Sequence, residues 1–187
     1  MVHLEIERRF LIDARGEKPW RRLGKAHHIT QYYLEASDIH LEDCTLFIQG
    51  RRVVTLTENE MNVWHQHHPW TVRLRCLDGD WILTCKSRRD RISAYELEWD
   101  LNEIERKWDV DLATYPHIIK TRYVVYTNDG MWEVDEFESQ LAGLVLAEIE
   151  LDDANTNVDL PSWVGQEITG LDGWSNKSLA QTLSMIK

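Results

Sequence analysis

Apolar and polar positions alternate with a period of two along most of the chain. The pattern starts in "VHLEIERRFLI", where Glu5, Glu7 and Arg9 fall on one side and Leu4, Ile6 and Arg8 on the other. A strand sends successive side chains to opposite faces, so this period predicts β structure. It recurs over 2–12, 28–36, 44–57, 70–77, 80–87, 93–101, 117–127, 131–137 and 144–152. Asp78-Gly79 and Asn128-Asp129-Gly130 mark tight turns, because glycine takes positive φ freely, and the strands they join are expected to be antiparallel. Helices are expected over 16–25, 101–108 and 176–187. In the last, Ser175 or Asn176 caps and Leu179, Leu183 and Ile186 form one face. No linker, repeat or low-complexity tract interrupts the chain, which reads as one domain over 1–187. Its least regular section, 37–69, reads as an insertion.

The polar face of these strands is charged. Arg73 and Arg75 alternate with apolar neighbours, as do Glu96 and Glu98, Lys120 and Arg122, Glu133 and Asp135, and Glu148 and Glu150; Lys86 closes "WILTCK". With β-strand 2–12 this gives eight carboxylates and six cations, most strands donating mainly one sign. A merely solvated face would mix signs and include Ser, Thr and Gln. Like charges side by side repel by roughly a few tenths of a kcal/mol each, so the pattern invites a balancing ligand. Loss of one carboxylate, such as Glu148, is then expected to relieve the metal-free protein. If the sheet closes with these faces inward, the lumen is polar and the outward apolar faces need helices to cover them. Six cations there could hold a polyphosphate, and the carboxylates could hold Mg²⁺ or Mn²⁺, which take oxygen ligands.

Composition narrows the partners. The 187 residues carry a net charge of −11, which argues against non-specific nucleic-acid binding but not against a small anion in a local basic pocket. Nine tryptophans are expected mainly at the margins of the sheet. Cys44, Cys76 and Cys85 form no CxxC pair, and no apolar signal core or membrane-length run occurs, so a reducing, cytoplasmic, soluble setting is expected. His65, His67 and His68, with His40 or Cys76, lack the carboxylate or cysteine partners of a zinc spacing and read as a polar loop tip. No Walker loop, GxSxG, Gly-rich dinucleotide loop or HExxH occurs.

In order along the chain, "EIERRF", "QYYL", "VRLR", "LTCK", "YELEWDL", "KTRY", "WEVDEF", "LAEIEL" and "PSWVGQEIT" followed by "NKSLA" closely resemble the motifs of the CYTH, or triphosphate tunnel metalloenzyme, superfamily. The likeness covers nearly the whole chain and is greatest to small bacterial members that hydrolyse inorganic tripolyphosphate. It implies a mainly β fold, an eight-stranded antiparallel barrel forming a tunnel with a charged lumen and covering helices. It also implies Mg²⁺- or Mn²⁺-dependent hydrolysis of a triphosphate.

The resemblance assigns Glu5, Glu7, Glu148 and Glu150 to metal, with Asp135 and Glu96 or Glu98 completing a second site. Arg73, Arg75, Lys86, Lys120 and Arg122 would clamp phosphate, and Arg9, Tyr33 and Lys120 would act in catalysis. Tyr32 and Tyr33 alternate faces, and comparison with the family favours Tyr33 for the lumen. The expected partner is a small-molecule triphosphate, with no nucleic acid, no membrane, and a homodimer allowed. Two departures stand out. Arg9 replaces the lysine usual in the superfamily, and a planar fork does not substitute for an ammonium. Residues 37–69 also replace a short connection and could cap the tunnel or narrow substrate choice. The competing readings are a class IV-type adenylyl cyclase acting on ATP and a non-catalytic polyphosphate or nucleotide binder.

Overall fold

The structure, a computed structural model, describes residues 2–101, 112–128 and 130–186. Beyond Leu101, the helix expected over 101–108 lies outside them, as does the middle residue of the Asn128–Gly130 turn. The elements are β1 (Val2–Leu11), α1 (Trp20–Leu23), β2 (Lys25–Tyr33), β3 (Ile39–Glu42), β4 (Thr45–Ile48), β5 (Arg51–Thr55), α2 (Glu58–Gln66), β6 (Thr71–Leu77) and β7 (Asp80–Arg88). They continue with β8 (Ser93–Asp100), β9 (His117–Thr127), β10 (Gly130–Phe137), β11 (Val145–Glu150) and α3 (Asn176–Met185). Eight strands close an antiparallel barrel in the order β1-β11-β10-β9-β2-β6-β7-β8. Closure leaves no open edge, and the period of two then sorts every strand into an inward and an outward set.

Residues 37–69 are more regular than their sequence suggests. The expected strand 44–57 is broken by Gln49 and Gly50, at φ +50° and +72°, into the hairpin β4–β5, which joins β3 in a three-stranded sheet. Thr57 caps α2 through a capping box with Glu60, a T-x-x-E signal present in the sequence. This sheet and helix pack on the outside of β6–β8. There Leu46, Ile48, Val53 and Trp64 meet Val72, Leu74, Leu83 and Leu97, and the Trp99 indole donates to Glu60 at 3.0 Å.

A second sheet therefore shares with α2 the covering of this wall that was expected of helices alone. This segment lies against the wall's exterior, except that its last residue, Pro69, reaches the rim of the cavity described below. Across the barrel, Phe10, Trp20, Trp132 and Val158 bury the outside of β1 and β9–β11, with the Trp163 ring tilted against Trp20 at 5.7 Å and edge-on to Trp132 at 5.6 Å. Trp20 and Trp132 are fully buried, so tryptophan serves the core here as well as the margin.

The helix expected over 16–25 shrinks to the single turn α1. It ends at Gly24, where a side chain would meet the Trp20 and Val124 carbonyls at 3.0 Å, and β2 begins at Lys25 because β9 pairs with it from Val124 onward. The third helix forms as expected, with Ser175 accepting the Ser178 N–H at 3.1 Å. Its Leu179 and Leu183 flank buried Ala180 and lie across Tyr33, Ile118, Phe137 and Leu146 at one end of the barrel. Ile186 falls past the last turn and is exposed, so it takes no part in that face. Among the described residues no helix is long and apolar enough to cross a membrane.

Candidate functional site

Pairing puts Glu7 opposite Glu150 and Arg9 opposite Glu148 across β1–β11, and Glu133 opposite Glu148 across β10–β11. On the other wall Arg73 faces Thr84, and Lys86 faces Glu96. Inward side chains from these strands fill the lumen with ion pairs that fall into three groups.

The first surrounds a cavity of about 380 Å³, lined from the strands by Glu5, Glu7, Arg9, Tyr33, Arg73 and Lys86. Lys86 binds Glu5 and lies 3.5 Å from Glu7. Arg73 donates to Glu96 at 3.1 Å, while its buried Nε has no partner. The Gln31 amide donates to the Tyr33 hydroxyl, and burial pushes that phenol up to about 12. Tyr32 points outward and stacks on Trp81, so Tyr33 alone of the pair reaches the lumen.

The second group lies behind the first. Arg122 donates twice to Asp135 at 2.7 Å and approaches Glu148 at 3.4 Å, and it also binds Glu133; Lys120 binds Asp135 from the other side. Burial opposes ionisation of Asp135 and Glu148, but cations outweigh it. Arg122 and Lys120 hold Asp135 well below the usual carboxylate range, and Arg9 and Arg122 hold Glu148 at about 2. Burial and Arg122 lower Lys120 to about 8 despite Asp135. Arg9 ties the two groups together: its Nε donates to Glu148 at 2.5 Å, a terminal nitrogen to Glu7 at 3.0 Å, and the other terminal nitrogen to the Trp174 carbonyl at 3.5 Å.

The third group stands apart. Arg75 and the Thr84 hydroxyl both donate to Glu98 at 3.1 Å, and Glu150, half-exposed, bonds His3 at 2.5 Å. Every expected site residue thus lies on the inward face, but only the first six line the cavity. Among the described residues no three carboxylate, imidazole or thiolate side chains stand together as a metal site. That includes the histidines of 37–69: His67 stacks on Tyr95 at 3.7 Å and His40 on Phe47 at 4.9 Å.

The cavity rim adds residues that the sequence reading did not assign to the site: Arg88, Arg91 and the start of α3, Ser175 to Ser178. Lys177 donates to the Thr71 hydroxyl at 3.3 Å, and the buried Asn176 Oδ1 has no partner. The signal was the N-cap serine followed by a lysine in "SNKS", which places a cation and free N–H groups at one helix start.

The pairing changes what removal of a carboxylate should do. Glu148 is held by two guanidinium groups, so its loss strips them of a partner instead of relieving repulsion. Glu7 is different. Burial raises its pKa, with Glu148 adding to the effect, and its partners Arg9 and Lys86 each keep a second carboxylate. A raised folded pKa means that ionised Glu7 costs stability at neutral pH, and the cost disappears as pH falls through that pKa. Glu7→Gln is therefore expected to melt at or above the temperature of the unmutated, metal-free protein at pH 7, an advantage that shrinks on acidification. A fall of about 5 °C or more in a thermal melt would contradict this.

A closed antiparallel barrel with ionised residues filling its inward face defines a charged-lumen tunnel barrel. The sequence comparisons place it more narrowly: the chain belongs to the inorganic triphosphatase family. It is 37% identical over 112 residues to the inorganic triphosphatase of Acetivibrio thermocellus, covering 59% of this chain and 72% of that protein. To the inorganic triphosphatase of Nitrosomonas europaea it is 31% identical over 116 residues, covering 60% and 76%. The crystal structure of the inorganic triphosphatase NE1496 superposes with a TM-score of 0.52 at 26% identity, covering 94% of this chain and 93% of that one. No family model matches the chain.

Proposed function

We propose that this chain hydrolyses inorganic triphosphate through a single tunnel domain in which 37–69 is an insertion. The observation that carries the reading is the cavity, where Arg9, Arg73 and Lys86 converge beside Glu5 and Glu7 under the rim cations Arg88, Arg91 and Lys177. Arg73 and Lys86 bind phosphoryl oxygens there and stabilise the charge that spreads over them as the anhydride bond breaks. The free Nε of Arg73 is a donor awaiting an acceptor. Tyr33, with its pKa near 12, stays protonated and donates a hydrogen bond. Lys120, Arg122 and Arg75 act from the part of the lumen beyond the cavity, by adding positive charge there and by turning to phosphate when the tunnel is loaded. Water is the nucleophile.

The carboxylates of β1 and β11 fit a divalent ion by donor chemistry. Glu5, Glu7, Glu148 and Glu150 are all hard oxygen ligands on paired strands, the set that Mg²⁺ or Mn²⁺ takes. Such an ion, when bound, supplies Lewis acidity at the phosphate oxygens. Asp135, Glu96 and Glu98 are second-site candidates that first have to release their cations.

The test is to incubate the purified protein with Mg²⁺ or Mn²⁺ and, separately, tripolyphosphate, ATP or thiamine triphosphate. Orthophosphate and pyrophosphate in equal amounts from tripolyphosphate, abolished by a chelator, is the expected result. Cyclic AMP from ATP, or tight binding of tripolyphosphate without turnover, would overturn it.

A further inference from the structure

Arg9 lines the cavity and bridges carboxylates proposed to hold the metal. Its guanidinium spans two carboxylates of paired strands, Glu7 at 3.0 Å and Glu148 at 2.5 Å, which are two of the four oxygen donors proposed for the divalent ion. Its remaining arm reaches the Trp174 carbonyl just before α3, at 3.5 Å. Those carboxylates are turned onto the guanidinium, and among the described residues no three metal-capable groups stand together. Lys86 repeats the arrangement on a smaller scale across Glu5 and Glu7.

Resting on the triphosphatase reading, we propose that Arg9 stands in for the divalent ion in the metal-free tunnel and thereby couples metal binding to polyphosphate binding. For a metal to gain Glu7 and Glu148, the guanidinium must leave them. A buried cation stripped of its carboxylates is costly, so in the absence of another anion the exchange is unfavourable. Arg9 lines the cavity, so a polyphosphate there offers the acceptor it needs, and a planar fork suits phosphate oxygens bidentately. The polyanion draws Arg9 off the carboxylates and the metal takes its place. Each ligand then improves the other's affinity by the same factor, as linkage requires. A lysine at this position offers one compact ammonium in place of three separately placed nitrogens, so it reaches the two carboxylates and the Trp174 carbonyl less well and competes less well with a metal. Arg9 is on this account a positioning residue that sets the order of loading.

The experiment measures Mn²⁺ binding to the metal-free protein from the spectrum of free aqueous Mn²⁺, with and without imidotriphosphate, whose bridging nitrogens resist hydrolysis. In the unmutated chain the analogue should tighten Mn²⁺ binding by roughly tenfold or more. Some tightening arises because the analogue itself binds Mn²⁺, so Arg9→Lys is the decisive comparison: charge is kept, and only the fork is lost. That variant should bind Mn²⁺ alone several-fold tighter than the unmutated chain and show a coupling several-fold smaller. Equal Mn²⁺ affinities and equal coupling in the two proteins would overturn the proposal. Should Arg9→Lys not fold, Arg9→Gln is measured in its place, with Arg88→Gln as the control for loss of a positive charge. A gain in Mn²⁺ affinity no larger at position 9 than at position 88 overturns the proposal equally. The triphosphatase reading fails separately: it falls if the unmutated chain binds both ligands but releases no orthophosphate from tripolyphosphate, whatever the coupling.

Discussion

Asp135→Asn is expected to lower the stability of the metal-free protein by about 3–5 kcal/mol, the usual cost of breaking a buried ion pair by removing one charge. Asp135 is 1% exposed and accepts from both Lys120, also 1% exposed, and Arg122. Arg122 keeps Glu133 and Glu148, but among the described residues no other carboxylate is bonded to Lys120. The orphaned ammonium then faces burial and the repulsion of Arg122 together, and both already lower it to about 8. In a chain of this size the loss corresponds to roughly 10 °C in a thermal melt with chelator present. Asparagine keeps the shape of the side chain, so packing does not explain the result. A change below about 1 kcal/mol would show that Lys120 is carried neutral in the native protein.

The second large effect is on turnover. Arg73→Gln is expected to reduce kcat/KM for tripolyphosphate by about 100-fold, since a charge-assisted hydrogen bond is worth about 1.5–3 kcal/mol and Arg73 offers more than one. Its guanidinium lines the cavity, spends one arm on Glu96 and has a buried Nε to spare. Arg73→Lys should recover only part of the loss, because charge returns without the fork. Steady-state kinetics on all three proteins decide the matter, and a drop of less than about threefold for Arg73→Gln would remove Arg73 from the site.

The strands of the barrel and the inward set on each were legible because a period of two cannot be satisfied on two faces at once. Glu5, Glu7 and Arg9 had to share one face, and so did Lys120 with Arg122. What the alternation does not encode is the partner of each charge. Arg9 meets Glu148 from 139 residues away, and Arg122 meets Asp135 and Glu148, because barrel closure decides which strands face each other. Like-charge repulsion along a strand was therefore a poor guide to Glu148, which lies between opposite charges. Local signals were missed for a different reason. Gln49-Gly50 sits inside a run of apolar and β-branched residues that masks the turn, and the Thr57–Glu60 box precedes a helix whose stripe is short. The covering of β6–β8 by a second sheet depends on Leu46 and Ile48 meeting Leu74 and Leu83, a contact between segments that each look like an ordinary strand.

The position of β1 between β8 and β11 bears on how the protein is made. During synthesis β1 can pair with β8 once residue 100 has emerged, but its other side waits for Val145–Glu150. Such distant pairings form late, and in the interval the growing sheet presents unfinished edges to other nascent chains. Alternate residues in the middle of those edges are charged: Glu5, Glu7 and Arg9 on the first strand, Glu133 and Asp135 on the tenth. Inward-pointing charge is one of the means by which proteins keep exposed strands from joining strangers. The same side chains that crowd the finished lumen thus shield the half-built sheet on the ribosome, and an apolar redesign of the tunnel would be expected to aggregate before it could close.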